Sequence, residues 1–227
     1  MKDNMTLLEN INNFLASVDV QTYREKYSHI KLVELDLPKN IQAIRHLYRE
    51  YWERRENFPT FDNFYRIYYG ELSEELEFFR IKTMFSKETF YRGLPARIYR
   101  TWASLLTQIQ GGYAADSIYG GVEMSAELDY QGIDIRINCN NQILNIQIKK
   151  ETMSREVRAP WRAIKRKVPI IMVYYEVPDC DPKTKTGKDR VPFQRWLNKW
   201  NDKLERLDNG FIIFRPKMFA YKNIMIP

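Results

Sequence analysis

Hydrophobic and polar positions along the chain follow first a helical and then a strand period. Leu7-Leu8, Ile11, Phe14-Leu15 and Val18 fall near helical spacing, and Ile41, Ile44, Leu47, Tyr48 and Tyr51 repeat it before Pro59 interrupts the pattern. A third helix is predicted over 61–85. Its aromatics (Phe61, Phe64, Tyr65, Tyr68, Tyr69, Phe78, Phe79) stand at a spacing that reads as core sooner than as a base-stacking surface. From Pro95 a further helix carries Ile98, Trp102, Leu105, Leu106 and Ile109 on one face as far as Gly111-Gly112, with a second helical piece over 113–119. The period then changes: 122–128 reads as extended, 133–137 and 143–149 alternate strictly, and 168–177 is an apolar run of strand character. A helix over 193–207 and a strand over 211–214 close the chain. This order predicts an α/β fold, a mixed sheet flanked by helices, with a helical N-terminal region over 1–90. No repeat, Gly/Ser linker or low-complexity tract divides the 227 residues, so one domain is expected.

Composition narrows the partners. Hydrophobic residues make up 44% and charged residues 29%, which fits neither a disordered nor a membrane protein. No apolar run approaches the roughly 20 residues of a spanning helix, and the expected location is the cytoplasm, with no membrane partner. Only Cys139, Cys180, His29 and His46 could offer soft or imidazole ligands, at no zinc spacing, and the cysteines read as reduced thiols. An excess of 36 Lys+Arg over 29 Asp+Glu, formally +7, suits a polyanion. The densest basic block holds Arg155, Arg158, Arg162, Lys165, Arg166 and Lys167 against the single acid Glu156, a candidate DNA-binding edge or simply a solvated helix face.

The alternating pair of strands carries the chemistry. Ile133, Ile135 and Ile137 share one face, with Asp134, Arg136 and Asn138 on the other; across the turn Leu144, Ile146 and Ile148 oppose Asn145, Gln147 and Lys149. A two-residue turn at Asn140-Asn141 pairs Cys139 with Gln142, Asn138 with Ile143, Arg136 with Asn145 and Asp134 with Gln147, and sets Lys149 opposite Gly132. A carboxylate, a carboxamide and an ammonium then converge at one end of the hairpin 132–150. Phosphodiester hydrolysis needs a hard cation and positive charge beside the developing negative charge. Asp134 offers Mg²⁺ a ligand, the Gln147 side chain and the Ile148 carbonyl are further candidates, and Asp129 is near enough in sequence to join them. Lys149 is the candidate to orient the attacking water; strand parity favours it over Lys150. The order of elements is that of the PD-(D/E)xK nuclease core over 91–180, with Gln147 where an acid is usual.

The stretch from Arg92-Gly93-Leu94-Pro95 through Trp102-Ala103-Ser104-Leu105-Leu106 to Gln110-Gly111-Gly112-Tyr113 resembles the TaqI type of restriction endonuclease, as do Glu127-Leu128-Asp129 to Asp134 and, more weakly, Phe14 to Val18 and Leu35 to Pro38. The resemblance implies a homodimeric, Mg²⁺-dependent type II enzyme that cuts double-stranded DNA after the T of the palindrome TCGA. It also implies a companion adenine methyltransferase, without a stable complex, and a catalytic role for both Asp129 and Asp134. Two other readings share these residues: a repair or junction nuclease of the same superfamily, and a DNA-binding protein without catalysis. Base-reading residues are expected in the basic block or over 179–190, since a bidentate Arg is the best reader of guanine.

Overall fold

The structure, a computed structural model, describes residues 6–30, 37–139, 142–151, 169–178 and 183–220. The chain divides into two compact units, one of residues 1–109 with 208–211, the other of residues 110–207 with 212–227.

The first unit is helical. Thr6 and Glu9 close a capping box on α1 (Leu7–Ser17), Asp19 caps α2 (Val20–Tyr27), and α3 (Ile44–Tyr48) runs into a π-helical turn, Arg49–Glu53. Thr60 caps α4 (Phe61–Lys82). Tyr51, Phe61, Phe64, Tyr68 and Trp102 are fully buried, so Phe61, Phe64 and Tyr68 of the aromatics at helical spacing are core, whereas Tyr65, Tyr69 and Phe79 are half-buried and Phe78 is exposed. Burial leaves no polar tip of this cluster stranded: Trp102 Nε1 donates to the Tyr51 hydroxyl at 2.7 Å, Tyr51 donates to the Pro59 carbonyl, and Tyr68 donates to the Ile41 carbonyl at 2.6 Å.

Helix α5 (Lys87–Tyr119) departs from the expected punctuation at both ends. Pro95 does not begin it; Ser86 does, its Oγ accepting from Thr89 N at 3.1 Å, and Pro95 sits inside the helix. Gly111-Gly112 does not end it, and 113–119 is not a separate piece. A Cβ on Gly111 would stand 3.1 Å from Ile148 Cδ1 and 3.2 Å from Phe214 Cδ2, so this glycine serves close helix–sheet approach rather than termination.

In the second unit the strands β1 (Val122–Glu123), β2 (Ile135–Cys139), β3 (Gln142–Glu151) and β4 (Ile171–Glu176) form one sheet in that order. The first three run antiparallel and β4 is parallel to β3, so the sheet is mixed. As far as Ile135 the hairpin register is the one a two-residue turn predicts, with Cys139 facing Gln142, Asn138 facing Ile143 and Arg136 facing Asn145; the expected Asp134–Gln147 pair is not part of the ladder, because the Asp134 N–H donates to the Ile146 carbonyl. Ile135, Ile137, Ile146 and Ile148 are buried beneath it. Residues 122–128 are not one extended run, because Ser125 starts a short helix, α6 (Ala126–Asp129). Likewise the predicted helix over 193–207 is shorter. Helix α7 (Val191–Trp200) stops at Asn201, and Leu204, whose spacing from Leu197 and Trp200 mimics a helix, lies in β5 (Leu204–Arg206), paired to β6 (Ile212–Phe214). Gln110 grips β6 like a neighbouring strand, donating to the Phe214 carbonyl at 3.0 Å and accepting from its N–H at 2.7 Å. Among the described residues, no helix is long and apolar enough to cross a membrane.

Candidate active site

The site is assembled by a turn that the alternation does not reveal. Ser125 Oγ accepts from Leu128 N at 3.2 Å and starts α6; the helix is then closed by Gly132 N donating to the Asp129 carbonyl at 2.8 Å and Ile133 N donating to the Leu128 carbonyl at 2.9 Å. This is a Schellman closure, and it needs a left-handed residue, which Gly132 supplies at φ 78°. The chain leaves the turn as the lead-in to β2, with Asp129 before the turn and Asp134 after it. A serine cap, acids in the first turn (Glu127, Asp129) and a glycine beyond were the signals available in the sequence.

Asp134 is buried, 5% exposed. Its N–H donates to the Ile146 carbonyl at 2.9 Å, and its Oδ2 accepts from Ile148 N at 2.6 Å, so both its main chain and its carboxylate are tied to β3. In an extended strand a residue's N–H and C=O point to the same neighbouring strand, which directs the Ile148 carbonyl to the Asp134 side. Burial pushes the Asp134 carboxyl up to about 7, and the charge of Asp129 adds to the rise; the Ile148 amide and Lys149 act against it. Gln147, also buried, lies on the face of β3 that carries Asn145 and Lys149. The paired ladder ends at Ile135, so Gly132 is not held opposite Lys149; a Cβ there would instead approach Gln147 Nε2, at 3.5 Å. Lys149 is partly exposed, and Lys150 is exposed on the opposite parity. Tyr175 of β4 is a neighbour that the sequence reading passes over, because a tyrosine in a buried apolar run reads as core. Burial pushes its hydroxyl up to about 12, with the Asp134 charge contributing.

The structure thus brings Asp129, Asp134, Gln147, Ile148 and Lys149 to one end of the hairpin. No group of three or more Asp, Glu, His or Cys gathers among the described residues. What the hairpin offers a cation is two carboxylates, a carboxamide and a carbonyl, an all-oxygen set suited to a hard divalent ion and not to zinc. A nearby divalent charge also answers the electrostatic problem at Asp134, a buried carboxyl that otherwise holds its proton to near-neutral pH. The donor set therefore fits such an ion. The candidate DNA-binding residues Arg155, Arg158, Arg162, Lys165, Arg166 and Lys167 lie outside the described residues, as does Cys180.

Beside this geometry stand the relatives. The profile of the TaqI restriction endonuclease family matches residues 8–224. The type II restriction enzyme TthHB8I of Thermus thermophilus is 35% identical over 222 residues, covering 92% of this chain and 84% of the relative. The type II restriction enzyme TaqI of Thermus aquaticus is 35% identical over 233 residues, covering 95% of this chain and 89% of the relative. No solved structure matches. Matched over nearly its whole length, the chain belongs to the TaqI restriction endonuclease family, a family of type II restriction enzymes.

Proposed function

We propose that the protein is a Mg²⁺-dependent type II restriction endonuclease that hydrolyses double-stranded DNA at the palindrome TCGA, between T and C, with the β2–β3 hairpin as the catalytic end of a PD-(D/E)xK core. One observation carries the reading: a buried Asp134, fixed by the Ile148 amide and held near Asp129 and Lys149, inside a chain that belongs to this family. Asp134 and Asp129 are the charged ligands, with the Gln147 side-chain oxygen and the Ile148 carbonyl completing the protein's share. Gln147 in place of an acid leaves the set with less negative charge, which makes the second carboxylate, Asp129, necessary. A bound Mg²⁺ supplies Lewis acidity to the phosphoryl oxygen and lowers the pKa of the attacking water. Lys149 orients that water and balances the charge that gathers on the phosphoryl group in the transition state. The Ile148 amide keeps the Asp134 carboxylate in place before substrate arrives, so no reorientation is needed at the moment of reaction.

A palindromic site presents the same edges to two protomers related by a two-fold axis, so the working form is a homodimer with one hairpin on each strand. Residues 1–90 elaborate the core of 91–180 within one functional domain, and base reading falls to Arg155, Arg158, Arg162, Lys165, Arg166 and Lys167 or to 179–190. The enzyme works in the cytoplasm, where a companion adenine methyltransferase protects the host's own sites. The test is digestion of a plasmid of known sequence with Mg²⁺ and mapping of the ends. The expected result is cutting at TCGA that Asp134→Ala abolishes, with DNA affinity largely kept because phosphate contacts dominate binding. Cutting by Asp134→Ala at the wild-type rate removes the assignment.

A further inference from the structure

The polar face of the hairpin continues past the catalytic end, and its next cation is Arg136. Its Nε donates to Asn145 Oδ1 at 3.0 Å, and Asn145, itself buried, donates onward to the Pro169 carbonyl at 3.3 Å. The guanidinium is therefore anchored through one nitrogen. Among the described residues the one acid within ion-pair distance of it is Glu123, with Nη1 at 3.9 Å from a carboxylate that is 55% exposed and that also accepts from Asn138 Nδ2 at 2.7 Å.

Two other arginines show what a structural ion pair looks like in this chain. Arg49 meets Glu71 through two bonds of 2.8 and 2.9 Å, and Arg80 meets Glu77 through two of 2.7 and 2.8 Å. Those forks are closed on a carboxylate, whereas Arg136 bonds through Nε alone and stands 3.9 Å from Glu123. A loose pair with an exposed carboxylate is worth little and is easily exchanged for a better anion. A guanidinium matches phosphate geometry through two parallel N–H bonds.

Position supplies the rest. Arg136 lies in β2, two residues beyond Asp134, which sits at the bend leading into the strand, so the two residues are at most about 7 Å apart along the chain, of the order of the step between successive phosphates of one DNA backbone. Asn145, which holds it, likewise precedes Gln147 by two residues on the same face of β3. We propose that Arg136 is a positioning residue that grips the phosphate next to the scissile one on the strand being cut, released from Glu123 as the DNA docks. The inference rests on the reading of the hairpin as a DNA-cleaving site.

The test uses a fluorescent duplex containing the mapped cleavage site, with Ca²⁺ replacing Mg²⁺ so that the DNA stays intact, and follows binding by anisotropy. In Arg136→Gln the slope of log affinity on log salt should fall by about 0.9, while Arg136→Lys, which keeps the charge, should retain it. A single neutral methylphosphonate at one of the two phosphates flanking the scissile position should weaken wild-type binding about tenfold and leave Arg136→Gln unmoved. A structural role of Arg136 changes neither the salt slope nor the methylphosphonate pattern. An unchanged slope, or equal sensitivity of wild type and variant at both flanking phosphates, overturns the proposal. Should Arg136→Gln fail to fold, wild-type protein indifferent to methylphosphonate at both positions overturns it equally. Wild-type protein that neither binds nor cuts duplex DNA removes the functional reading, and the clamp with it.

Discussion

Around the fully buried Trp102 the indole N–H goes to Tyr51, the Tyr51 hydroxyl goes to Pro59, and rings of Phe14, Tyr23, Phe61 and Tyr99 pack against the indole. Around Asp134 the same dryness surrounds a carboxyl, with one backbone amide to hold it and a second acid nearby. The first region lowers the energy of the folded chain with every contact. The second raises it, at the group to which the proposed function assigns the chemistry. On that proposal one chain separates the residues that make it stable from those that react, and the cost of burying the Asp134 carboxyl is tolerable because regions like the aromatic cluster offset it.

Substitutions should separate the two regions. The largest effect is expected from Trp102→Ala, which leaves a cavity and strips Tyr51 of its donor, at a cost of about 3–5 kcal/mol; denaturant melts should show it, while the folded fraction cuts DNA normally. In the second region Lys149→Ala should slow cleavage by about 10²-fold or more at unchanged stability, and Lys150→Ala far less; the reverse order, in single-turnover assays, would show the working lysine on the other strand face. Asp134→Asn should move stability upward, the opposite direction from Trp102→Ala. Because the carboxyl is raised from 3.8 to about 7 in the folded protein, metal-free wild type is favoured fully below 3.8 and loses that advantage as pH rises through 7. The variant does not titrate there, so its lead should grow across this window and level off above it, to at most about 4 kcal/mol at 1.36 kcal/mol per pKa unit. Melting temperatures from pH 4 to 8 in EDTA measure this, and a constant difference contradicts it. Smallest of all, Gly111→Ala should lower stability by about 1–3 kcal/mol by crowding Ile148 and Phe214.

How legible each region was in the sequence follows the same division. Alternation of Ile133, Ile135 and Ile137 against Asp134 and Arg136 set the faces of the hairpin, and the two-residue turn expected at Asn140-Asn141 set its register as far as Ile135. Proline and glycine were poorer guides. Pro95 and Gly111 look like helix boundaries, yet packing against Phe214 and Ile148 carries α5 through, and no local pattern contains that contact. The run 122–128 resembled a strand because its apolar residues, Val122, Met124, Ala126 and Leu128, alternate; the Ser125 cap and the closing glycine decided for a helix after β1. Tyr175 came from a distant strand, beyond the reach of any spacing rule.

The closed turn between Asp129 and Asp134 has one more consequence. Its backbone bonds, from Gly132 to Asp129 and from Ile133 to Leu128, leave no slack between the two acids, so they are mounted like the jaws of a fixed gauge. If both jaws grip one ion, as proposed, its size is measured by the main chain. A larger cation that prefers more ligands at longer range, such as Ca²⁺, would meet jaws unable to open to suit it. Lengthening the turn by a residue would loosen the gauge, and with it the distinction between metals that sustain cutting and metals that only occupy the site.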